Sequence, residues 1–179
     1  MLGSFRRPPT VNEVIGSLKD PAANAIVNLV TIPRRQRTAF MQELLAWIQQ
    51  LRAKVGHPHW IVVDQAHDVL TRSWQLIPLD IPQQLEGMMC ITGDPGAIAR
   101  SILSRVNIPL TMGPSAATTL TEVAALLQER MPNIGGMRTN ADEAIIWFRD
   151  NAGVPVKLKL ALGIKASRSC SSVNIRAMS

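Results

Sequence analysis

One segment gathers the residue types able to do chemistry. Residues 60–70 read WIVVDQAHDVL. Four apolar residues, Trp60 to Val63, run into an acid, which places Asp64 at the carboxyl end of a buried strand. In open α/β sheets that edge is where ligands bind. A carboxylate there can hold a magnesium ion, often through water, beside nucleotide phosphates. The plainer reading of Asp64 is a strand-end acid capping whatever follows. His67 lies three residues on and is expected as a polar surface or supporting residue rather than a ligand. His57 and His59 flank Pro58 without an evident third ligand, so a loop explains them better than a metal site. Arg34, Arg35 and Arg37 form a basic cluster of the kind that meets phosphates or nucleic acid, although a solvated face explains it as well. Gly93-Asp94-Pro95-Gly96 has the look of a phosphate turn, but a plain strand-to-helix connection accounts for it fully. Trp147 is expected to pack at a sheet edge.

The elements that must position these groups follow from apolar periodicity. Residues 11–19 read as a short helix ended by Asp20-Pro21. Residues 25–32 are almost continuously apolar and β-branched, the pattern of a strand buried on both faces. From residue 36 to 55 the period changes: Phe40, Leu44, Leu45, Ile48 and Leu51 recur at helical spacing, against Arg37, Gln42, Gln49 and Arg52. Residues 60–64 and 87–92 read as a second and third strand, with a weakly marked helical stretch at 82–86 between them. Residues 97–105 read as helix, 106–111 as a fourth strand, and 116–130 as helix with Leu120, Val123, Leu126 and Leu127 as its stripe. Residues 144–148 and 154–162 suit a hairpin around Asp150-Asn151-Ala152-Gly153. Strand and helix alternating four times predict a three-layer α/β domain with a mainly parallel sheet, closed by a C-terminal antiparallel hairpin. One domain over residues 1–162 is expected. Residues 163–179, rich in Ser and Arg and without period, are expected to be disordered.

The Asp64 segment resembles the Walker B strand of P-loop ATPases, which runs four apolar residues, Asp, Glu and, in some families, Ala-His. Here Ala66 and His67 are in register, but Gln65 stands at the catalytic glutamate position. A carboxylate can polarise the attacking water, whereas an amide can only exchange hydrogen bonds. Losing a general base costs about 10² to 10⁴ in rate. The phosphate-binding G-x-x-x-x-G-K-[ST] pattern does not occur in the sequence, so no lysine and no converging backbone N–H groups are supplied to the β- and γ-phosphates. In the additional-strand class of these ATPases, Walker B ends the third strand and a polar sensor ends the fourth. The resemblance aligns the four apolar runs with strands two to five, puts Thr92 in the sensor-like place, and implies that the loop lies upstream of Met1.

A closer resemblance covers about residues 8 to 160. Asn28-Leu29-Val30-Thr31-Ile32-Pro33, Arg37-Thr38-Ala39-Phe40, Leu51-Arg52-Ala53 and Pro58-His59-Trp60-Ile61-Val62-Val63-Asp64 are similar to a bacterial family that fuses a HAD-superfamily phosphatase to a HerA-like P-loop ATPase module. Ile91-Thr92 before Pro95, and Asp142-Glu143-Ala144 before Trp147, fit its later segments. The family's Asp-Glu-Ala-His-His reads Asp64-Gln65-Ala66-His67-Asp68 here, and no D-x-D-G-T phosphatase motif is present. The resemblance implies ATP hydrolysis with Mg and ATP as cofactors. The partner it implies is the half that carries the phosphate-binding loop, or a homo-oligomer. With Gln65 at the glutamate position and the loop missing, this chain is expected to be inactive alone. The alternative is an interaction or assembly module that keeps the α/β shell without nucleotide chemistry. The sheet would then lack its first strand and need a partner. An enzyme of another class using Asp64, His67 and Thr92 is a third option, but no spacing assigns it a reaction.

Composition sets the outer bounds. The chain has 179 residues, 46% apolar and 18% charged, which suits a globular domain. Its formal charge of +6 is compatible with nucleic acid or with an ordinary basic surface. Tyr is absent and Phe occurs three times, leaving no set of aromatics for stacking bases. Cys90 and Cys170 are the two cysteines, too few and too far apart for a disulfide framework, so a reducing cytoplasm is expected. No apolar stretch has the length of a membrane span, so no membrane partner is expected.

Overall fold

The computed structural model describes residues 1–20, 22–56, 59–74, 87–130, 133–149 and 154–161. The expected helical stretch at 82–86, the Asp150–Gly153 connection, His57, Cys170 and the 163–179 tail lie outside these residues. The chain divides into two compact units, Met1–Val106 and Asn107–Ser179. The protein is mixed α/β, with a two-stranded parallel sheet in the first unit and a three-stranded antiparallel sheet in the second.

In the first unit, helix α1 spans Val11–Ser17. Thr10 and Glu13 close its N-terminus reciprocally: the Glu13 N–H donates to Thr10 Oγ1 at 3.3 Å, and the Thr10 N–H donates to Glu13 Oε2 at 3.0 Å. Helix α2 spans Arg34–Val55, starting after Pro33 and stopping at Gly56, whose φ of 68° is the left-handed conformation that glycine adopts without strain. It buries Thr38, Met41, Leu44, Leu45, Ile48 and Leu51. That is the predicted stripe with Met41 in place of Phe40, which is half-buried. Strands β1 (Ile61–Val63) and β2 (Met88–Cys90) pair in parallel, Val63 opposite Cys90. One face of the pair turns Val63 into the core. The other leaves Trp60, Val62, Met89 and Ile91 exposed, at 72%, 59%, 37% and 43%.

Two expectations fail in this unit. Residues 25–32 do not form a strand; they make a single parallel bridge, Val27 to Leu2. Asn28 explains this, because its Oδ1 accepts the Val30 N–H at 2.9 Å and closes a local turn. Ile26 and Val30 are accordingly exposed. The long helix expected at 97–105 is instead a 3-10 turn, Pro95–Ala97, and a one-turn helix α3, Arg100–Leu103. Between them Ile98 is extended and bridges Thr71.

In the second unit, β3 (Leu110–Met112) leads through Gly113 into helix α4 (Ala116–Leu127). Strands β4 (Glu143–Ile146) and β5 (Val156–Lys159) form the expected antiparallel pair. The fourth apolar run, however, is antiparallel: β3 pairs with β4, Leu110 opposite Ile146. The core joins Ala116, Leu120 and Ala124 of α4 to Ile145 and Trp147, so Trp147 is packed, but in the core just past the central strand β4 and not at a sheet edge. The four apolar runs therefore do not align as one mainly parallel sheet. Among the described residues only the second and third are parallel neighbours.

Candidate functional site

The sequence-predicted site residues lie in the first unit, at the carboxyl rim of β1 and β2. Because Val63 sits opposite Cys90, the two chains leave the sheet side by side. The Ile91 N–H donates to Val63 O at 2.9 Å, and the Ala66 N–H donates to Ile91 O at 2.8 Å, so the two exit loops are laced together by backbone.

Asp64 is the first residue past β1 and is exposed. Its Oδ1 accepts the Gln65 N–H at 2.9 Å, which organises its own turn and leaves the second oxygen without a described partner. Gln65 is also exposed and takes a left-handed backbone, φ 50° and ψ 48°. That conformation is uncommon for a residue with a side chain and reverses the chain into a 3-10 turn, Ala66–Asp68. Ala66 is fully buried, which anchors the turn beneath the rim.

His67 and Thr92 meet across the two loops, His67 Nδ1 lying 2.9 Å from Thr92 Oγ1. Thr92 Oγ1 also accepts the Asp94 N–H at 3.0 Å. Asp94 in turn caps the 3-10 turn after it, its Oδ1 accepting the Ala97 N–H at 3.1 Å. Gly93-Asp94-Pro95-Gly96 is thus a self-satisfied connection, as the plain reading expects, with Arg72 Nε donating to Gly96 O at 2.7 Å.

Spacing gave no sign of two further links. Arg37 of α2 donates through Nη1 to Asp68 Oδ2 at 3.1 Å and through Nε to Ile32 O at 3.0 Å. Arg34 lies 3.4 Å from the same carboxylate but is largely exposed. Thr38 of α2 meets Thr71 Oγ1 at 3.1 Å, and Thr71 meets Ser73 at 2.6 Å. The basic cluster is therefore split: Arg37 braces the turn behind Asp64, while Arg35 is exposed. Arg37 and Asp68, like Thr38 and Thr71, are more than thirty residues apart, and only the fold brings them together.

His59 does not join the rim. Both its ring nitrogens are buried without a hydrogen-bond partner among the described residues, and its carbonyl accepts from Arg52. Cys90 is partly buried, and burial pushes its thiol up to about 11, so it is a poor thiolate near neutral pH.

Whether the rim suits magnesium is decided by donor type. Asp64 offers one uncommitted carboxylate oxygen to solvent. That suits a cation that keeps most of its own waters and touches the protein at one or two oxygens. Among the described residues no group of three or more His, Cys, Asp or Glu could enclose a metal. The given sequence contains no G-x-x-x-x-G-K-[ST] pattern.

No family model matches the sequence, and no match is found among curated proteins. Among solved structures, the chain is similar to the genome packaging NTPase B204 from Sulfolobus turreted icosahedral virus 2, in complex with AMPPCP. The TM-score is 0.48 at 11% identity, covering 73% of this chain and 65% of that one. The chain thus spans less than two thirds of that protein's length. Among the described residues no helix is long and apolar enough to cross a membrane.

Proposed function

We propose that this chain is a Walker B-bearing part of a P-loop ATPase module of the HerA-like kind, spanning residues 1–162 and inactive alone. The observation that carries the reading is the parallel pairing of β1 with β2, which sets Asp64 and Thr92 on one carboxyl rim. In the reading, Asp64 holds a hydrated magnesium ion and Gln65 faces the γ-phosphate without serving as a base. The phosphate cradle comes from another polypeptide segment. When bound, magnesium would neutralise charge on the phosphates; this chain's part is to orient it. The antiparallel β3 narrows the support for the reading to β1, β2 and their loops.

Two measurements test it. Calorimetry on the purified chain should give no magnesium-dependent ATP binding, and a dissociation constant on the order of micromolar would reject the reading. Magnesium chloride alone, followed by NMR, should move the Gln65 amide in the wild type and not in Asp64→Asn. Equal shifts in both would remove Asp64 from the site.

A second reading, an assembly module, is favoured by the exposed apolar face of Trp60, Val62, Met89 and Ile91. Parallel sheets are normally covered on both faces. Light scattering separates the two: concentration-dependent association abolished by Val62→Lys supports assembly, and a monomer at all concentrations counts against it.

A further inference from the structure

The two hydrogen bonds at Thr92 Oγ1 constrain what its hydroxyl can offer to a ligand. The Asp94 N–H, 3.0 Å away, can only donate, so it occupies one lone pair. His67 Nδ1, 2.9 Å away, either donates or accepts according to where the ring proton sits. A threonine hydroxyl has one proton and two lone pairs. With the ring proton on Nδ1, Thr92 would accept twice and its own proton would meet no acceptor among the described residues. With the ring proton on Nε2, Thr92 donates to Nδ1, accepts from Asp94, and keeps one free lone pair. The Thr92 hydroxyl proton and the Asp94 N–H are then both satisfied.

We propose that His67 is a positioning residue that holds the hydroxyl proton of Thr92, so that Thr92 presents a lone pair and not a proton at the rim. The consequence for the ligand rests on the magnesium-rim reading above. A lone pair meets a group with a proton to give, such as a water in the shell of a divalent cation. A bare phosphate oxygen has no proton to give and finds nothing at Thr92. Asp64, an acceptor on the same rim, has the same preference. The rim is thus built to orient cation-bound water, and direct contact with phosphate falls to groups outside it.

The test reads the imidazole directly. In ¹⁵N-labelled protein, His67 Nδ1 should be of the unprotonated type, with the proton on Nε2. Its resonance should move in Thr92→Val, a nearly isosteric change that removes the donor. An Nδ1 that carries the proton, or one unmoved by Thr92→Val, overturns the proposal. His67→Asn, whose Oδ1 can accept where Nδ1 does, should keep the Asp94 amide protected from exchange. His67→Leu should lower that protection about fivefold, the typical net worth of one hydrogen bond. Equal protection in the two variants also overturns it. Magnesium chloride should then shift the Thr92 and Asp94 amides, and inorganic phosphate should not; phosphate alone shifting them would overturn the ligand preference. Failure of magnesium to shift any rim amide would reject the magnesium site while the tautomer measurement still decides the role of His67.

Discussion

Arg37 and Asp68 form an ion pair at 3.1 Å that ties the turn behind Asp64 to helix α2, with both side chains under one fifth exposed. The same guanidinium holds the Ile32 carbonyl at 3.0 Å, so one side chain joins three segments of the first unit. Removing it leaves a carboxylate and a carbonyl that have lost their main donor. Arg37→Ala should destabilise the protein by about 2 kcal/mol, in the range for charge-assisted hydrogen bonds. Arg34→Ala should do almost nothing, since the Arg34 side chain is 78% exposed. Urea titrations of the two variants check this, and equal effects would refute it.

Gln65 and Asp64 make a second pair whose backbone, and not its charge, is informative. With φ at 50°, Gln65 pays for a left-handed conformation that glycine adopts freely. Gln65→Gly should leave stability unchanged or raise it by up to about 1 kcal/mol, while Gln65→Val should lower it by about 1 kcal/mol or more. Thermal melts decide; a destabilised Gly variant would mean that the side chain itself holds the turn.

Leu120 is fully buried where α4 meets Ile145 and Trp147 in the second unit. Leu120→Ala leaves a cavity that the packed neighbours close only in part, so a loss of about 3 kcal/mol is expected. Leu126 belongs to the same sequence stripe but is only half-buried, and Leu126→Ala should cost about half as much or less. Denaturant unfolding of both variants tests which residues of the stripe face the core.

The contrast between those leucines shows where the sequence is legible. Helical periodicity locates α2 and α4 to within a few residues, because a stripe must recur every three or four positions to be buried. The segment ending in Asp64 is equally readable: three of the four apolar residues before the acid form β1 and leave the acid at the rim. Strand direction is another matter. Residues 106–111 carry no mark of whether their partner runs parallel or antiparallel, and the choice is made by pairing with β4. Residues 25–32 have strand composition, yet the Asn28 side chain satisfies the Val30 N–H locally and competes with pairing. At the rim, the placement of Asp64 and Gln65 just past β1 follows from the strand pattern, whereas the contact of His67 with Thr92 and of Arg37 with Asp68 depends on the tertiary fold.

Glu143 gives a prediction with a defined pH window. Its carboxyl is held below the ordinary value of 4.5 by hydrogen bonds from the Lys157 ammonium and the Asn140 N–H, and by the charge of Lys157 and Lys159. A carboxylate with a depressed folded value stabilises the fold above its unfolded value, and that contribution is lost as pH falls through the folded value. The melting-temperature difference between wild type and Glu143→Gln should therefore be fully present near neutral pH. It should shrink as pH falls below about 4.5 and vanish once the wild-type carboxyl is protonated. The Glu143–Lys157 pair lies at 2.9 Å on the β4–β5 surface, where Lys157 is 39% exposed, so added salt should weaken the difference at neutral pH. A difference that grew on acidification, or that ignored both acid and salt, would show that the charge of Glu143 is not what stabilises the fold.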